Sequence, residues 1–108
     1  MVEAPTIQWV GESGTKYKYW IYDIGYDKFD TVPANYIFAK EAPPKTHSPI
    51  YIGETEDISE RFDYHHKIDC IKRNGATHIH AHKSSSNKET RCEEESDLIQ
   101  KWTPICND

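Results

Sequence analysis

Short apolar runs separated by polar, turn-rich stretches occupy the first half of the chain, a pattern typical of β-strands and the turns between them. Strands are predicted at residues 17–22, 34–39 and 49–53, where aromatic and β-branched side chains concentrate. Because the connection between the second and third runs is short, these two strands are expected to pair antiparallel. Residues 1–16, rich in Gly, Ser, Glu and Thr, are expected to be a loose leader.

The second half of the chain predicts two helices separated by a strand. Apolar residues at helical spacing indicate a helix over residues 58–74, begun by a capping box at Asp57 and Glu60 and ended by Gly75. Residues 77–82 alternate between three histidines and two apolar residues, which predicts a strand with one apolar face. Residues 88–102 predict the final helix. The expected fold is therefore α+β: a small antiparallel sheet flanked by helices, with an extra N-terminal strand.

Length and composition indicate one intracellular domain. The chain has 108 residues, of which 36% are hydrophobic, and it contains no apolar stretch of membrane-spanning length and no signal-peptide pattern. A cytoplasmic location without a membrane partner is therefore expected. Cys70, Cys92 and Cys106 are odd in number and widely spaced, so they are expected to be reduced thiols rather than disulfide or structural zinc partners.

Charge is distributed unevenly along the chain. The net charge is −5, which argues against a general nucleic-acid coat protein. Residues 64–91, however, hold six Lys and Arg against two Asp and Glu, together with five of the six histidines. One basic region on an acidic domain fits a localised polyanion contact, although an ordinary mixed-charge surface is the alternative. The residues expected to bind nucleic acid are Lys67, Lys72, Arg73, His80, His82 and Lys83.

Several residues with side chains common in active sites occur at a specific combination of spacings. Residues 34–38 read Ala-Asn-Tyr-Ile-Phe and residues 49–53 read Pro-Ile-Tyr-Ile-Gly; an arginine follows ten residues after the second tyrosine. A glutamate on the final helix is followed twelve residues later by an asparagine. This arrangement resembles the GIY-YIG nuclease superfamily over about residues 33–108, leaving residues 1–32 as an N-terminal extension. The positions that match the family's functional residues are Tyr36, Tyr51, Arg61, His65, Glu95 and Asn107.

The resemblance implies a divalent-metal-dependent endonuclease that hydrolyses DNA phosphodiester bonds by direct attack of water. Glu95 would hold Mg²⁺ or Mn²⁺, and Arg61 would make two parallel hydrogen bonds to the phosphate. One of Tyr36 and Tyr51 would activate the water while the other positions it, and the sequence leaves open which. The structural alternative for both tyrosines is packing between strands.

The remaining matched positions also have two interpretations. His65 would accept a proton from the tyrosine, or it is a structural helix residue. Asn107 would join the backbone to the active site, or it is a terminal turn residue. For Arg61 the alternative is a surface salt bridge to Glu60 or Asp57. For Glu95 the alternative is a place on a solvated acidic face, to which Glu93 and Glu94 are assigned.

The chain departs from the family pattern beside each of the two motif tyrosines. Asn35 and the alanine before it replace the usual glycine and apolar residue, and Glu54 stands where several members have a basic residue, which removes a phosphate contact. Glu54 and the acidic charge balance of the chain motivate the alternative function, a catalytically weak or inactive nucleic-acid-binding or interaction module. The strand at residues 17–23 either adds to the sheet or contacts substrate.

Two further questions concern the ligands. The chain has no appended motif that would clamp a DNA duplex. This favours one of two expectations: a preference for single-stranded over double-stranded DNA, or dependence on a partner protein for targeting. His78, His80 and His82, on one predicted strand face, either bind zinc, contact DNA or form a polar outer face of the sheet.

Overall fold

Five antiparallel strands form one sheet with a helix packed on each face. The structure is a computed structural model that describes residues 4–26, 28–42, 46–60 and 67–107. In this part of the chain the elements are β1 (Thr6–Val10), β2 (Lys16–Asp23), β3 (Ala34–Ala42), β4 (Thr46–Thr55), α1 (Ile68–Arg73), β5 (His78–Lys83), α2 (Lys88–Trp102) and a 3₁₀ turn (Ile105–Asn107). The sheet order is β1-β2-β5-β3-β4, so β4 is an edge strand. The expected α+β class and antiparallel pairing are confirmed.

The N-terminal extension contributes two strands rather than one. β1 lies within the segment expected to be a loose leader, and it pairs with β2 from Thr6 opposite Trp20 to Val10 opposite Lys16. Trp9 is 3% exposed, and its indole Nε1 donates a hydrogen bond to His80 of β5. The leader prediction was wrong because β1 is held by partners distant in the sequence.

The first helix is shorter than predicted among the described residues. α1 begins at Ile68, whereas residues 58–60 form a turn in which the Asp57 carboxylate accepts the backbone N–H of Ser59. The expected helix start near Ile58 is therefore wrong. Gly75 follows α1 with a φ of 77°, as expected for a left-handed helix end. Arg61 and His65 lie outside the described residues.

The two faces of the sheet carry separate cores. We call the first the α1 face; it gathers Tyr36, Phe38, Tyr51, Ile71, Ile79 and Ala81, among others. The second is the α2 face, where Trp9, Tyr19, Ile37, Ile52 and Leu98 pack together. Neighbouring residues of a strand point to opposite faces, so each buried strand contributes to both cores.

A disulfide joins Cys70 of α1 to Cys106 of the 3₁₀ turn, with an S–S distance of 2.09 Å and a Cα–Cα distance of 5.9 Å. The expectation of reduced thiols was wrong for this pair, whose 36-residue separation gave no local signal. The chain brings the two residues together because both belong to the core of the α1 face. Cys92 is a free thiol.

None of the helices in the described segments combines the length and the apolar character needed to span a membrane.

Candidate active site at the edge of the sheet

Two tyrosines meet above a glycine on the α1 face. Tyr36 of β3 stands directly opposite Gly53 of the edge strand β4, and Tyr51 lies two residues before that glycine. The ring centroids of the tyrosines are 6.1 Å apart with an interplanar angle of 34°. A Cβ on Gly53 would lie 2.5 Å from the Tyr36 hydroxyl oxygen and 2.8 Å from Tyr51 Cε2. Only glycine allows both rings to approach the strand this closely.

The two tyrosines differ in access to solvent. Tyr36 is 0% exposed and Tyr51 is 8% exposed. Both rings belong to the core of the α1 face, so packing accounts for much of their position. Of the two, Tyr51 is the more exposed to solvent.

Asn107 covers the outer edge of β4 beside the tyrosines. Its side-chain Nδ2 donates to the Ile52 carbonyl at 2.8 Å, and its Oδ1 accepts the Ile52 N–H at 2.9 Å. The carboxamide thus supplies the two hydrogen bonds that a neighbouring strand would give an edge residue. Ile52 separates Tyr51 from Gly53, so Asn107 is attached to the backbone between the two residues that shape the tyrosine pair.

Glu95 lies on α2, which packs against the opposite face of the sheet. The Asn87 side chain caps this helix by accepting the N–H groups of Glu89 and Thr90, and Leu98 anchors it in the core. Glu95 is half-buried. Burial raises the pKa of Tyr19 well above 10, and the carboxylates of Glu94 and Glu95 raise it further.

Two residues that break the family pattern, Asn35 and Glu54, contact two residues of α2, Arg91 and Glu94. We call these four residues the polar clamp. Asn35 and Glu54 are opposite each other on β3 and β4. Asn35 Nδ2 donates to the Arg91 carbonyl and to Glu94 Oε2, both at 3.1 Å. Arg91 Nε donates to Glu54 Oε2 at 3.0 Å, and its Nη1 donates to the carbonyls of Ser85 and Ser86.

The polar clamp changes the interpretation of both departures. Arg91 is 3% exposed, so the Glu54 carboxylate serves a buried cation rather than facing an incoming phosphate. The assignment of Glu94 to a solvated face was wrong, because Glu94 also accepts a hydrogen bond from Ser84 Oγ. Arg91 precedes Glu95 by one helical turn on the same side of α2. The polar clamp therefore sets the position of the turn that carries Glu95.

The three histidines of β5 do not form one exposed strip. His80 is fully buried, and its Nδ1 accepts the Trp9 N–H at 2.9 Å. Burial lowers the pKa of His80 to about 3, with smaller contributions from His47 and His78. The prediction that His80 binds nucleic acid was wrong, since the ring is inside the protein.

Zinc has no ligand set among these histidines. Because Nδ1 of His80 accepts a hydrogen bond, the neutral ring carries its proton on Nε2 and lacks a lone pair for a metal. His82 lies 3.3 Å from Glu94 and 3.0 Å from the Lys18 carbonyl, while His78 lies 3.4 Å from Glu41. Across the described ranges, no group of three or more His, Cys, Asp or Glu side chains is placed to hold a metal ion.

The predicted cationic contacts separate into two places. Lys72 and Arg73 are exposed in the last turn of α1, and Lys83 is exposed at the end of β5, whereas Lys67 is half-buried. Lys83 is paired with Ala34, whose side chain belongs to the α1 face, so Lys83 lies on that face as well. The exposed cations therefore lie on the α1 face or on the helix that packs against it, the same face as the tyrosines.

Sequence and structure comparisons give no relative from which to transfer a function. No protein-family model, no curated protein and no solved structure matches the chain.

The structure does not bring Glu95 to the tyrosine pair. Glu95 is carried by α2, which packs on the α2 face, whereas Tyr36 and Tyr51 belong to the core of the α1 face.

Proposed function

We propose that this protein is a divalent-metal-dependent endonuclease that hydrolyses DNA phosphodiester bonds by direct attack of water, with a preference for single strands. The observation that carries the proposal is the meeting of Tyr36, Tyr51, Gly53 and Asn107 at one position of the edge strand β4. Three distant parts of the chain supply these residues. They are also among the residues on which the resemblance to GIY-YIG nucleases depends.

The geometry supports different roles for the two tyrosines. Tyr51, at 8% exposure, is the candidate to orient and deprotonate the attacking water. Tyr36 is fully buried and is the candidate to hold the Tyr51 ring in place above Gly53. Asn107 keeps this segment of β4 from pairing elsewhere and fixes its backbone.

Glu95 would hold the Mg²⁺ or Mn²⁺ ion, and the bound metal would polarise the phosphate and stabilise charge in the transition state. Arg61 and His65 enter the proposal through the resemblance alone, as the phosphate-binding and proton-accepting groups. Loss of an oriented donor such as Arg61 would lower kcat by roughly 10²–10³-fold.

The test is cleavage of matched single- and double-stranded oligonucleotides with Mg²⁺ or Mn²⁺. Wild type should cut the single strand faster, and Glu95→Ala should abolish cutting while Glu93→Ala, an exposed neighbour on α2, should not. Background-level cleavage by wild type and Glu95→Ala alike would refute the nuclease proposal. Faster duplex cutting would refute the strand preference.

A second candidate, a nucleic-acid-binding module without catalysis, is favoured by the complete burial of Tyr36. In that case DNA binding would persist in EDTA and neither metal would produce products. Tyr51→Phe separates the candidates, because it should remove cleavage from a nuclease and leave the DNA affinity of a binding module unchanged.

A further inference from the structure

The N-terminal extension forms an aromatic pocket against the sheet. The pocket has a volume of about 370 Å³, which is within the range of small-ligand sites. Its floor is made by two small residues of the sheet, Ala34 and Ala81. Its aromatic walls are Trp20, Tyr22, Tyr26 and Phe29. All four wall residues belong to the segment that has no counterpart in the GIY-YIG pattern.

The walls are a packed set of rings with one face left open. Tyr22 and Tyr26 are stacked with centroids 4.5 Å apart and an interplanar angle of 29°. Phe29 meets both rings edge-on, at 5.0 Å from Tyr22 and 4.7 Å from Tyr26. Tyr26 is nevertheless 36% exposed. An exposed aromatic ring held rigidly by its neighbours is a surface on which another planar ring can stack.

The rim of the pocket is mainly cationic. Lys28 and Lys83 line it and are exposed, while Asp30 is the one carboxylate among its lining residues in the described ranges. Lys18, which does not itself line the pocket, places its Nζ 5.2 Å from the centre of the Trp20 ring. In a chain with a net charge of −5, a locally cationic rim around aromatic walls favours a ligand that joins a planar ring to an anion.

The pocket adjoins the tyrosine pair on the same face. Trp20 is opposite Ala81, Ala81 is opposite Tyr36, and Tyr36 is opposite Gly53. Direct cross-strand partners point to the same side of a sheet, so these four residues form one row across it. With strands about 4.8 Å apart, Trp20 lies roughly 10 Å from Tyr36 along the row. Ala34 of the pocket floor also precedes Tyr36 by two residues on β3.

We propose that this pocket binds a nucleobase of single-stranded DNA, one or two nucleotides from the phosphate that would lie at the tyrosine pair. The assignment rests on the nuclease function proposed above for that pair. A base in a duplex must first be unstacked and unpaired, which costs free energy, so the pocket favours a base from a single strand. Lys28 and Lys83 are placed to bind the adjoining phosphates.

Binding of a fluorescein-labelled oligothymidylate to the full chain in EDTA tests the pocket without any cleavage. Tyr26→Ala should weaken the affinity roughly 5- to 150-fold, because one stacking surface is removed. Tyr26→Phe, which keeps the ring, should bind as wild type does. Ile24→Ala is the matched control, since Ile24 is an exposed apolar residue of the same loop that does not line the pocket.

The cationic rim has its own measurement. Lys83→Ala should reduce the slope of log affinity against log salt concentration by about 0.7, the value for one single-strand phosphate contact. Lys16→Ala, an exposed cation at the far end of β2, should leave the slope unchanged. An unchanged slope in Lys83→Ala would remove Lys83 from the site.

Equal affinities of wild type and Tyr26→Ala would overturn the pocket assignment, as would equal losses in Tyr26→Ala and Ile24→Ala. Equal or tighter binding of a matched duplex would overturn the single-strand assignment. Cleavage without any dependence of affinity on Tyr26 would refute the pocket and keep the nuclease. Loss of affinity in Tyr26→Ala without cleavage by wild type would refute the nuclease and keep a base-binding pocket.

Discussion

Replacement of Glu54 by alanine should cost the fold about 3 kcal/mol. The change removes the anionic partner of Arg91, which is 3% exposed, and leaves a buried guanidinium without its counter-charge. Breaking such a pair typically costs about 3–5 kcal/mol. We expect the lower end because the Glu54 side chain is 17% exposed and because Arg91 keeps its bonds to the Ser85 and Ser86 carbonyls. For a domain of this size the melting temperature should fall by roughly 12–24 °C.

Urea unfolding of three variants measures this cost. Glu54→Gln keeps an acceptor for Arg91 Nε and loses only the charge, so it should be destabilised by about 1 kcal/mol. Glu56→Ala, an exposed neighbour, should stay within about 0.5 kcal/mol of wild type. If Glu54→Ala and Glu56→Ala have the same free energy of unfolding, the ion pair between Glu54 and Arg91 does not stabilise the fold. Tighter DNA binding by Glu54→Ala at unchanged stability would show that the carboxylate faces substrate phosphate instead.

Three further changes test other parts of the structure. Gly53→Ala should destabilise the protein by about 1–3 kcal/mol, because its methyl group would press into both tyrosine rings; unchanged stability by urea unfolding would contradict the close approach. Cys106→Ser should lower the free energy of unfolding by about 4 kcal/mol, as calculated for a 36-residue separation, whereas Cys92→Ser should have little effect; equal unfolding curves for the two would argue against the disulfide. The pKa of His80 is about 3 in the folded protein and near 6.5 when exposed, so stability should fall as the pH drops from 6.5 towards 3, by up to about 1.4 kcal/mol per pH unit. His80→Gln, which keeps an acceptor for the Trp9 N–H, should flatten that dependence, and an unchanged pH profile would contradict burial of a neutral ring.

The local sequence pattern was sufficient to predict those elements whose stabilising contacts are made between residues close in the sequence. The final helix was predicted over residues 88–102 and spans Lys88–Trp102, because Asn87 caps its own helix within three residues. The strands around Tyr36 and Tyr51 were placed by their apolar, β-prone runs and by the polar, proline-containing connection between them. The positions of these two tyrosines on neighbouring strands followed from that placement.

Apart from the helix start near Ile58, the features missed by sequence reasoning depend on partners far along the chain. β1 is held by Trp9 and its bond to His80, 71 residues away, and the disulfide closes a 36-residue separation. No local period distinguishes a buried histidine from an exposed one on an alternating strand. The polar clamp had one usable signal: Arg91, Glu94 and Leu98 lie at helical spacing, which places two charged residues on the side of α2 that faces the core.

The same long-range contacts explain why the proposed site lies at β4. The tyrosine pair belongs to the α1 face, whereas Glu95 is carried by the helix of the α2 face. The proposed function would therefore require a phosphate that reaches both faces around the edge of the sheet. β4 is that edge, and the chain passes around it between α2 and the 3₁₀ turn. Asn107 ties this passage to Ile52, and the disulfide at Cys106 ties it to α1. The polar clamp fixes α2 on the other face of the sheet, so the edge is held by contacts from both faces. A site assembled from distant residues requires such rigidity.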